Sequence, residues 1–388
     1  MAETDQAQGE ILYVQFTNPG SYPPLEHSSD VFLDRGFKTT FMGIESRGAS
    51  RALRFAEREG REVHLLPWVD PGLQQKSLYL KFLVGVVWRA LVDRPYLVYC
   101  SDHWSAPAGM VLACLGFRVI YHEHDAPAHS GTLFQSTILR LRRALIRRVL
   151  VVVPSEGRGE LVREDGASHV VVVRNVPSKH EVVIRDAQVN RTSNEPLRLI
   201  YQGSFGLNRT PATLVKAMLT DELRGRVTLS LIGYETVGDG RCIEVLKQTA
   251  RELGSAELVQ DLGPMSRHEM LSRGALFDVG LSLMPMAESD VNYASMAGAS
   301  NKPFDYMAQG LPMICSDLPQ WRVLLGRHAV YCDPRSVESI VAVLRDLLRD
   351  RKTLLEQGIR AQEMILNELN YELEFSRVLS AIQLETAG

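Results

Sequence analysis

Residues 299–317 read Ala299-Ser-Asn-Lys-Pro-Phe-Asp-Tyr-Met-Ala-Gln-Gly-Leu-Pro-Met-Ile-Cys-Ser-Asp317 and carry the clearest structural signal in the chain. A polar loop precedes Pro303, which suits the first turn of a helix because a missing N–H costs nothing there. Gly310 can end that helix, and the apolar run 311–315 predicts a buried strand. The stretch therefore predicts a loop, a short helix and a core strand in succession.

The start of this predicted helix suits a phosphate group. A helix N-terminus offers free N–H groups and a positive partial charge. Lys302 adds a full positive charge at that point, and Asp305, one turn into the helix, can accept hydrogen bonds from sugar hydroxyls. The residue chemistry at this place thus suits a phosphate group and sugar hydroxyls.

Length and composition limit the possible classes of protein. A chain of 388 residues is long for one domain and comfortable for two. Its 45% hydrophobic and 23% charged residues are ordinary for a soluble globular protein, and a net charge of −3 gives no field that would recruit nucleic acid. The polar, acidic N-terminal residues predict no signal peptide. The cysteines form no CxxC pair and are expected to be free thiols in a reducing compartment: Cys100, Cys114, Cys242, Cys315 and Cys332.

Apolar runs alternate with helix-like segments along the chain, which is typical of parallel sheets covered on both faces. We expect a first domain over 1–178, a linker over 179–196 and a second domain over 197–370. A helix over about 371–386 is expected to pack back on the first domain. The predicted helices of the first domain include Ser50–Glu59 and Leu78–Val92. The predicted strands are Ile11–Phe16, Thr40–Ile44, Leu97–Cys100, Val119–His122, Val149–Val153, Leu197–Tyr201, Val227–Ile232, Val279–Met284, Pro312–Cys315 and Val330–Cys332.

The pattern Asn301-Lys-x-Phe-Asp-Tyr-Met-Ala-x-Gly-x-Pro-x-Ile314 resembles the nucleotide-sugar site of retaining glycosyltransferases with the GT-B fold, in particular glycosyltransferase family four. The resemblance implies that the carboxylate of Asp305 holds the ribose of the nucleotide. It also implies that the loop before the helix, with Ser300 and Asn301, wraps the diphosphate and the donor sugar. The resemblance covers most of the chain and is strong from about Leu197 to Pro334.

A second pattern, Ile200-Tyr-Gln-Gly-Ser-Phe-Gly-Leu-Asn-Arg209, predicts a strand followed by a glycine-rich turn. Such glycines let backbone N–H groups approach an anion, and Arg209 can form a bidentate pair with phosphate. The family usually has Gly-Arg-x-x-x-x-Lys here, so the resemblance assigns Gly203 and Arg209 to the diphosphate. Ser204 stands where the family has arginine. The alternative is an ordinary strand-to-helix turn with a solvated arginine.

Two further positions follow from the resemblance. Gly263 lies in the stretch whose backbone contacts the nucleotide base in the family. The common family pattern also has two glutamates with seven residues between them. Asp305 takes the second position and Ala297 takes the first, so one carboxylate is missing. Glu288 is a candidate substitute, and a solvated loop glutamate is the other interpretation.

In the N-terminal half, Tyr121-His-Glu-His-Asp-Ala-Pro127 ends a predicted strand. Alternation places His122 and His124 on one face and puts Glu123 and Asp125 on the other. The resemblance makes His124 and Asp125 candidates for contact with the acceptor. Two histidines at this spacing also suit zinc, but no third ligand is identifiable, so no metal is expected. A hydrogen-bonded structural role is the alternative for His122.

Three more segments of the first half are candidates. The loop Asn18-Pro-Gly-Ser-Tyr-Pro-Pro24 would reach over the diphosphate in the implied fold, with Gly20 allowing close approach, or would be an ordinary proline-rich loop. Ser101-Asp102-His103 ends another predicted strand. The segment 138–148 holds five arginines, most of which spread over one broad face at helical spacing. That face either touches anionic lipid or is simply solvated.

The resemblance implies an α/β protein of the GT-B class, with two doubly wound Rossmann-like domains facing across a cleft. It implies a cytoplasmic, metal-independent, retaining hexosyltransferase of glycan biosynthesis that uses no cofactor and no nucleic acid. The enzyme would move a sugar from a nucleoside diphosphate to a hydroxyl of a glycan, a glycolipid or a small glycoside. Arg209 and Lys302 would stabilise the leaving diphosphate. The alternatives are a GT-B sugar-nucleotide epimerase and a non-catalytic sugar-nucleotide-binding subunit, and a peripheral place on the inner membrane face is the alternative location.

Overall fold

A computed structural model describes residues 9–47, 51, 53–127, 131–185, 195–235, 241–286 and 291–385. The chain divides into two compact units. Unit 1 comprises Met1–Asn175 and Tyr371–Gly388, and unit 2 comprises Val176–Asn370.

The described part of unit 1 contains a parallel sheet with helices on both faces. Its strands are β1 (Glu10–Gln15), β2 (Lys38–Ile44), β3 (Arg61–Leu66), β4 (Leu97–Ser101), β5 (Val119–His122), β6 (Leu150–Val153) and β7 (Val170–Val172). Its helices are α1 (Pro23–Leu33), α2 (Leu73–Asp93), α3 (Ala106–Cys114), α4 (Leu133–Ile146), α5 (Glu156–Glu164) and, from the end of the chain, α14 (Tyr371–Glu385). The sheet order is β3-β2-β1-β4-β5-β6-β7.

The described part of unit 2 repeats this plan. Its strands are β8 (Leu197–Phe205), β9 (Val227–Glu235), β10 (Val259–Asp261), β11 (Val279–Ser282), β12 (Met313–Ser316) and β13 (Ala329–Cys332). Its helices are α6 (Ala212–Met218), α7 (Cys242–Glu252), α8 (Arg267–Ser272), α9 (Val291–Ala294), α10 (Asn301–Ala308), α11 (Pro319–Leu325), α12 (Val337–Arg349) and α13 (Arg351–Asn367). The sheet order is β10-β9-β8-β11-β12-β13.

In each unit the chain order reverses at the middle of the sheet, between β1 and β4 in unit 1 and between β8 and β11 in unit 2. In open α/β sheets, ligands bind beyond the carboxyl ends of the strands at this reversal. Each sheet is covered on both faces, so its central strands are almost entirely apolar and buried. The prediction of two doubly wound parallel sheets is confirmed.

The loop, helix and strand predicted for 299–317 are confirmed as α10 and β12. Tyr306 fixes this helix beneath the sheet, because its hydroxyl lies within hydrogen-bonding distance of Ile200 O at 3.2 Å and Leu281 O at 3.1 Å. A Cβ atom at Gly280 would lie 2.4 Å from the Tyr306 ring, so only glycine lets the ring approach the strand this closely. The N-terminus of α10 is thereby set beside the end of β8.

The predicted helix Ser50–Glu59 is wrong, since residues 53–58 form no helix. This segment instead packs as irregular chain: the Phe55 ring lies 4.8 Å from the Phe41 ring, and the Leu53 carbonyl accepts a hydrogen bond from the Asn18 side chain at 3.0 Å. The strands β3, β7 and β10 are additional to those predicted. In unit 2, β8 continues through Gly203 to Phe205, so the predicted glycine turn begins later than expected.

The linker prediction concerns a segment that is partly described. Residues 186–194 lie outside the described ranges, as do Glu288 and Asp290. Lys179–Glu181 forms a 3-10 turn, and Ser178 caps its N-terminus in a capping box. The turn belongs to unit 2.

Of the five arginines over 138–148, four are exposed and Arg142 is buried. Its guanidinium donates to Glu123 Oε1 at 2.8 Å and also pairs with Asp165. Arg143 shares Asp165 at 3.1 Å. The exposed arginines of this segment are Arg140, Arg143, Arg147 and Arg148. Among the described residues, no helix is both long and apolar enough to cross a membrane.

Candidate functional site

The end of β8 in unit 2 is shaped by two glycines. Gly203 has φ of +95° and pairs with Gly233 of β9. A Cβ atom at Gly233, where φ is +140°, would lie only 1.9 Å from the carbonyl oxygen of Gly203. The lack of side chains leaves room at the strand end, and Lys302 Nζ occupies part of it, 3.6 Å from where a Gly203 Cβ would stand.

Lys302 lies in the first turn of α10, half-buried at the end of β8. Its ammonium stands over the Tyr201 ring, 5.3 Å from the centroid. Burial, and next the positive charge of Arg209, lower the pKa of Lys302 to about 7. Ser300 is the N-cap residue, but its side chain makes no capping hydrogen bond, and Asn301 begins the helix. A cation and a helix N-terminus therefore meet at one place, which favours an anion.

Arg209 follows β8 and is held by neutral groups. Its guanidinium donates to Ser204 Oγ at 3.0 Å and to the Tyr293 hydroxyl at 3.2 Å, and it lies 5.2 Å from the centroid of the Tyr293 ring. Asn208 donates to the same hydroxyl at 2.9 Å. Ser204 thus supports Arg209 through its side chain. Tyr293 was not selected from the sequence.

Within the described ranges, no carboxylate oxygen lies within 4.0 Å of either Arg209 or Lys302, and Asp305 acts on Lys302 only from a longer distance. Partly buried cations without a close counter-charge are costly, and a bound anion would offset that cost. The pair can therefore bind a group that carries multiple negative charges, such as a diphosphate.

Asp305 differs from the sequence expectation of a carboxylate open to ligand. It is 4% exposed, and the Arg267 guanidinium donates to both of its oxygens, at 2.8 and 3.2 Å. The same guanidinium binds Glu181, through a 3.1 Å contact and a second shorter one. Arg267 thus links the turn at Lys179–Glu181 to α10. Arg267 was not selected from the sequence.

Gly263 lies beside this region, with φ of +71°. Its carbonyl accepts from the Gly233 N–H at 2.9 Å, and its own N–H donates to Asp261 Oδ1 at 3.0 Å. The conformation ties the end of β10 to the glycine at the end of β9. Ala297, which lies within the described ranges, has no carboxylate to offer a ligand.

In unit 1, the corresponding strand ends gather two imidazoles. The rings of His122 and His124 are 3.9 Å apart between centroids, on one face as alternation predicts. The His122 Nδ1 lies 2.8 Å from the Tyr99 hydroxyl, and His124 Nε2 lies 3.0 Å from Ser101 Oγ. Burial lowers the pKa of His124 to about 3 and the pKa of His122 well below its usual value. Both rings are therefore neutral at physiological pH.

Asp102 holds the loop that carries His124. Its Oδ1 accepts from the His124 N–H at 3.0 Å, and its Oδ2 accepts from Gln15 of β1 at 3.4 Å. It has φ of +60°, an unfavourable conformation for a residue with a Cβ atom, and such strain concentrates at functional positions. Burial, and next the charge of Asp125, raise the pKa of Asp102 to about 7. It was named from the sequence only as part of a strand end.

The other candidates of unit 1 are placed as follows. Asp125 points outward, with a side chain that is 74% exposed and 3.4 Å from Arg158. Gly20 donates its N–H to the Asn18 side chain at 3.1 Å. A Cβ atom at Gly20 would lie 2.8 Å from the Leu53 carbonyl oxygen, so its lack of a side chain serves packing against residues 53 and 54.

A metal site is not formed by the described histidines. Across the described ranges, no group of three or more His, Cys, Asp or Glu side chains is arranged to hold a metal ion. The chemistry available in unit 2 is anion binding by cations and backbone. The chemistry available in unit 1 is hydrogen bonding by neutral imidazoles and hydroxyls. Two Rossmann-like parallel-sheet domains of this kind define an α/β protein of the GT-B fold class.

Comparison with solved structures supports this class. Sucrose-phosphate synthase from Thermosynechococcus elongatus has a TM-score of 0.72 at 14% identity, covering 98% of this chain and 100% of that one. HepE from Anabaena, in complex with UDP-glucose, has a TM-score of 0.71 at 16% identity, covering 97% and 100%. The lipopolysaccharide outer core galactosyltransferase WaaB has a TM-score of 0.61 at 15% identity, covering 96% and 99%. No protein-family model matches the chain. No curated protein matches it significantly in sequence.

Proposed function

We propose that this protein is a retaining glycosyltransferase that uses a nucleoside diphosphate sugar as donor and a hydroxyl group as acceptor. One observation carries the proposal: Arg209 and Lys302 lie at the end of β8, at the reversal of the sheet, with no described carboxylate within 4.0 Å. The similarity in fold to the galactosyltransferase WaaB and to HepE, which was solved in complex with UDP-glucose, supports it.

The proposed role of unit 2 is to bind the nucleotide. The two cations and the first turn of α10 would hold the diphosphate, and Ser300 and Asn301 would line it. Asp305 would accept hydrogen bonds from the ribose hydroxyls in addition to its pair with Arg267. The backbone at Gly203 and Gly263 would lie against the nucleotide.

In the proposed reaction, the bond between the sugar C1 and the diphosphate oxygen breaks, and a bond from C1 to the acceptor oxygen forms. The acceptor proton passes to an oxygen of the leaving diphosphate, and attack on the same face retains the anomeric configuration. Positive charge fixed in advance at the leaving group would lower the barrier. His124 and Asp125 of unit 1 are the proposed acceptor-binding residues, with neutral imidazole suited to a neutral hydroxyl.

The acceptor class stays open among a glycan, a glycolipid and a small-molecule glycoside. The proposed enzyme transfers a hexose and acts in glycan biosynthesis. Its proposed location is the cytoplasm, which is a reducing compartment. The location is supported by the absence of disulfides among the five cysteines, of which only Cys114 is exposed. A lipid-linked acceptor would suit a protein that meets the membrane through its exposed arginines.

The decisive experiment has two stages. A thermal-shift screen of nucleoside diphosphates and their sugars should find a ligand that raises the melting temperature by mass action. Product analysis with that donor should then show nucleoside diphosphate release that requires an acceptor, and a glycoside with the anomeric configuration of the donor. No stabilisation by any nucleotide would contradict the donor assignment. Epimerised sugar without acceptor would identify an epimerase.

A non-catalytic sugar-nucleotide-binding subunit is the second candidate, because Ala297 and Ser204 replace residues that the family uses at the donor. It predicts stabilisation by the nucleotide and no turnover with any acceptor. The proposed enzyme is also metal-independent, so turnover should be unchanged in EDTA. Loss of turnover in EDTA and its recovery on addition of a divalent ion would require a metal site.

A further inference from the structure

The outer side of α2 is more apolar than a solvent-facing helix surface needs to be. Its inner side packs Phe82, Val86 and Ala90 into the core of unit 1. On the opposite side, Leu80, Val84 and Trp88 are 63, 61 and 68% exposed. Residues four apart lie on one face of a helix, so these three form a continuous ridge about 12 Å long. The fold of unit 1 does not use this ridge.

The neighbouring helices extend the apolar surface. α3 packs against both α2 and α4 and exposes Val111 and Leu115 at its end. α4 begins with the exposed pair Leu133 and Phe134. The Phe134 ring lies 5.7 Å from Lys76 Nζ, which joins the start of α4 to the first turns of α2. We call the solvent side of α2, α3 and α4 the outer helical face.

The outer helical face belongs to helices with a strong excess of positive charge. The three helices contain a single acidic residue, Asp93, although the chain as a whole has a net charge of −3. The exposed cations without a described carboxylate within 4.0 Å are Lys76, Lys81 and Arg140, with Arg147 and Arg148 just after α4. Lys81 lies beside the ridge, between Leu80 and Val84 along the chain.

A ridge of tryptophan and aliphatic side chains flanked by lysine and arginine matches the surface of an anionic bilayer. The apolar side chains enter the boundary between head groups and acyl chains, and the cations stay at the head groups. A second copy of this chain is a poorer match, since a symmetric dimer would place two cationic surfaces against each other. No described helix is suited to spanning the bilayer, so contact would be peripheral.

We propose that the outer helical face docks unit 1 on membranes that contain anionic lipids, with Leu80, Val84 and Trp88 inserted and Lys81 and Arg140 at the head groups. The sequence alone suggested a lipid contact through the arginines of 138–148. The outer helical face combines the exposed Arg140 of that segment with an apolar ridge, whereas Arg142 is buried and takes no part. The inference does not depend on the proposed reaction, since vesicle binding is measured without donor or acceptor.

Vesicle sedimentation of the full chain tests the proposal. Wild-type protein should bind phosphatidylcholine vesicles that contain phosphatidylglycerol, and should bind pure phosphatidylcholine at least about tenfold more weakly, since each cation near an anionic surface contributes about fivefold. Val84→Glu and Trp88→Glu should each reduce binding by at least about tenfold. Val323→Glu is the matched control, because Val323 is an 88% exposed valine on α11 of unit 2. Its vesicle binding should equal that of wild type.

Two further measurements keep the test decisive. Equal melting temperatures would show that the variants fold, and high salt should weaken wild-type binding. Equal binding of both vesicle types, or wild-type binding by Val84→Glu and Trp88→Glu, would overturn the proposal. It would also be overturned if wild-type protein binds no vesicles and forms a dimer in sedimentation equilibrium that Trp88→Glu abolishes, because the face would then be an interface between copies.

Discussion

In unit 2 the strand ends present Arg209 and Lys302, held by the neutral side chains of Ser204, Tyr293 and Tyr201. In unit 1 the equivalent strand ends present the neutral rings of His122 and His124, hydrogen-bonded to their neighbours. Two sheets of the same plan therefore carry opposite kinds of polar site. The first suits a charged phosphate group, whereas the second suits an uncharged hydroxyl group, and variants in each should affect different steps.

Removal of the His124 imidazole in unit 1 should affect turnover alone. We expect His124→Ala to lower kcat by about a hundredfold, the lower end of what a positioned proton-transfer or hydrogen-bonding group contributes. Nucleotide affinity measured by calorimetry should stay at the wild-type value. His64→Ala is the control, since His64 is an exposed histidine on β3 of the same unit. A weaker nucleotide affinity in His124→Ala would contradict the assignment of nucleotide binding to unit 2 alone.

Removal of either cation in unit 2 should weaken diphosphate binding. A charged hydrogen bond contributes about 1.5–3 kcal/mol, so Arg209→Ala and Lys302→Ala should each reduce affinity about tenfold to a hundredfold. Lys216→Ala, at an exposed lysine of α6, is the matched control and should leave affinity unchanged. Wild-type affinity in both site variants would show that the cations do not bind the nucleotide.

Asp305 should affect stability and binding together, because it is buried and paired. Asp305→Ala leaves Arg267 with Glu181 alone and should cost up to about 3 kcal/mol in free energy of unfolding. Asp305→Asn should cost less and weaken nucleotide binding less than alanine does. The control Asp317→Ala breaks an exposed pair with Arg322, and should cost under about 1 kcal/mol.

Denaturant unfolding and calorimetry on the same Asp305 variants separate two roles. Lower stability with unchanged nucleotide affinity would limit Asp305 to its pair with Arg267. Lower affinity in the alanine variant, beyond that in the asparagine variant, would support contact with the ribose.

The smallest effect should be a pH dependence from Lys302, whose pKa is lowered to about 7. Bound diphosphate favours the charged ammonium, so binding takes up a proton above this pH. Affinity should therefore fall as pH rises above 7, by at most about tenfold per pH unit. Lys302→Arg keeps its charge throughout and should flatten the profile between pH 7 and 9, roughly the range in which the ligand is fully ionised. A wild-type profile that is already flat would contradict the shifted pKa.

Local signals explain which parts of the molecule could be predicted from the sequence. Pro303, Gly310 and the apolar run after it define α10 and β12 within a few residues of one another. The parts that escaped prediction depend on contacts between distant positions. Arg267 pairs with Asp305, which is 38 positions away, and nothing in its own neighbourhood in the sequence marks it. The segment 53–58 is likewise irregular because it packs against Phe41 and Asn18.

The helix α14 lies at the end of the chain yet completes unit 1. The Tyr371 hydroxyl donates to the Pro24 carbonyl at 2.9 Å, and Glu374 pairs with Arg174 at 2.8 Å. Unit 2 is one continuous segment, Val176–Asn370, and all of it is synthesised before α14. During synthesis, α1 of unit 1 therefore lacks its partner helix until the whole of unit 2 has been made. A newly made chain that stopped before Tyr371 would expose the side of α1 that packs on α14, including Phe32, to chaperones and proteases.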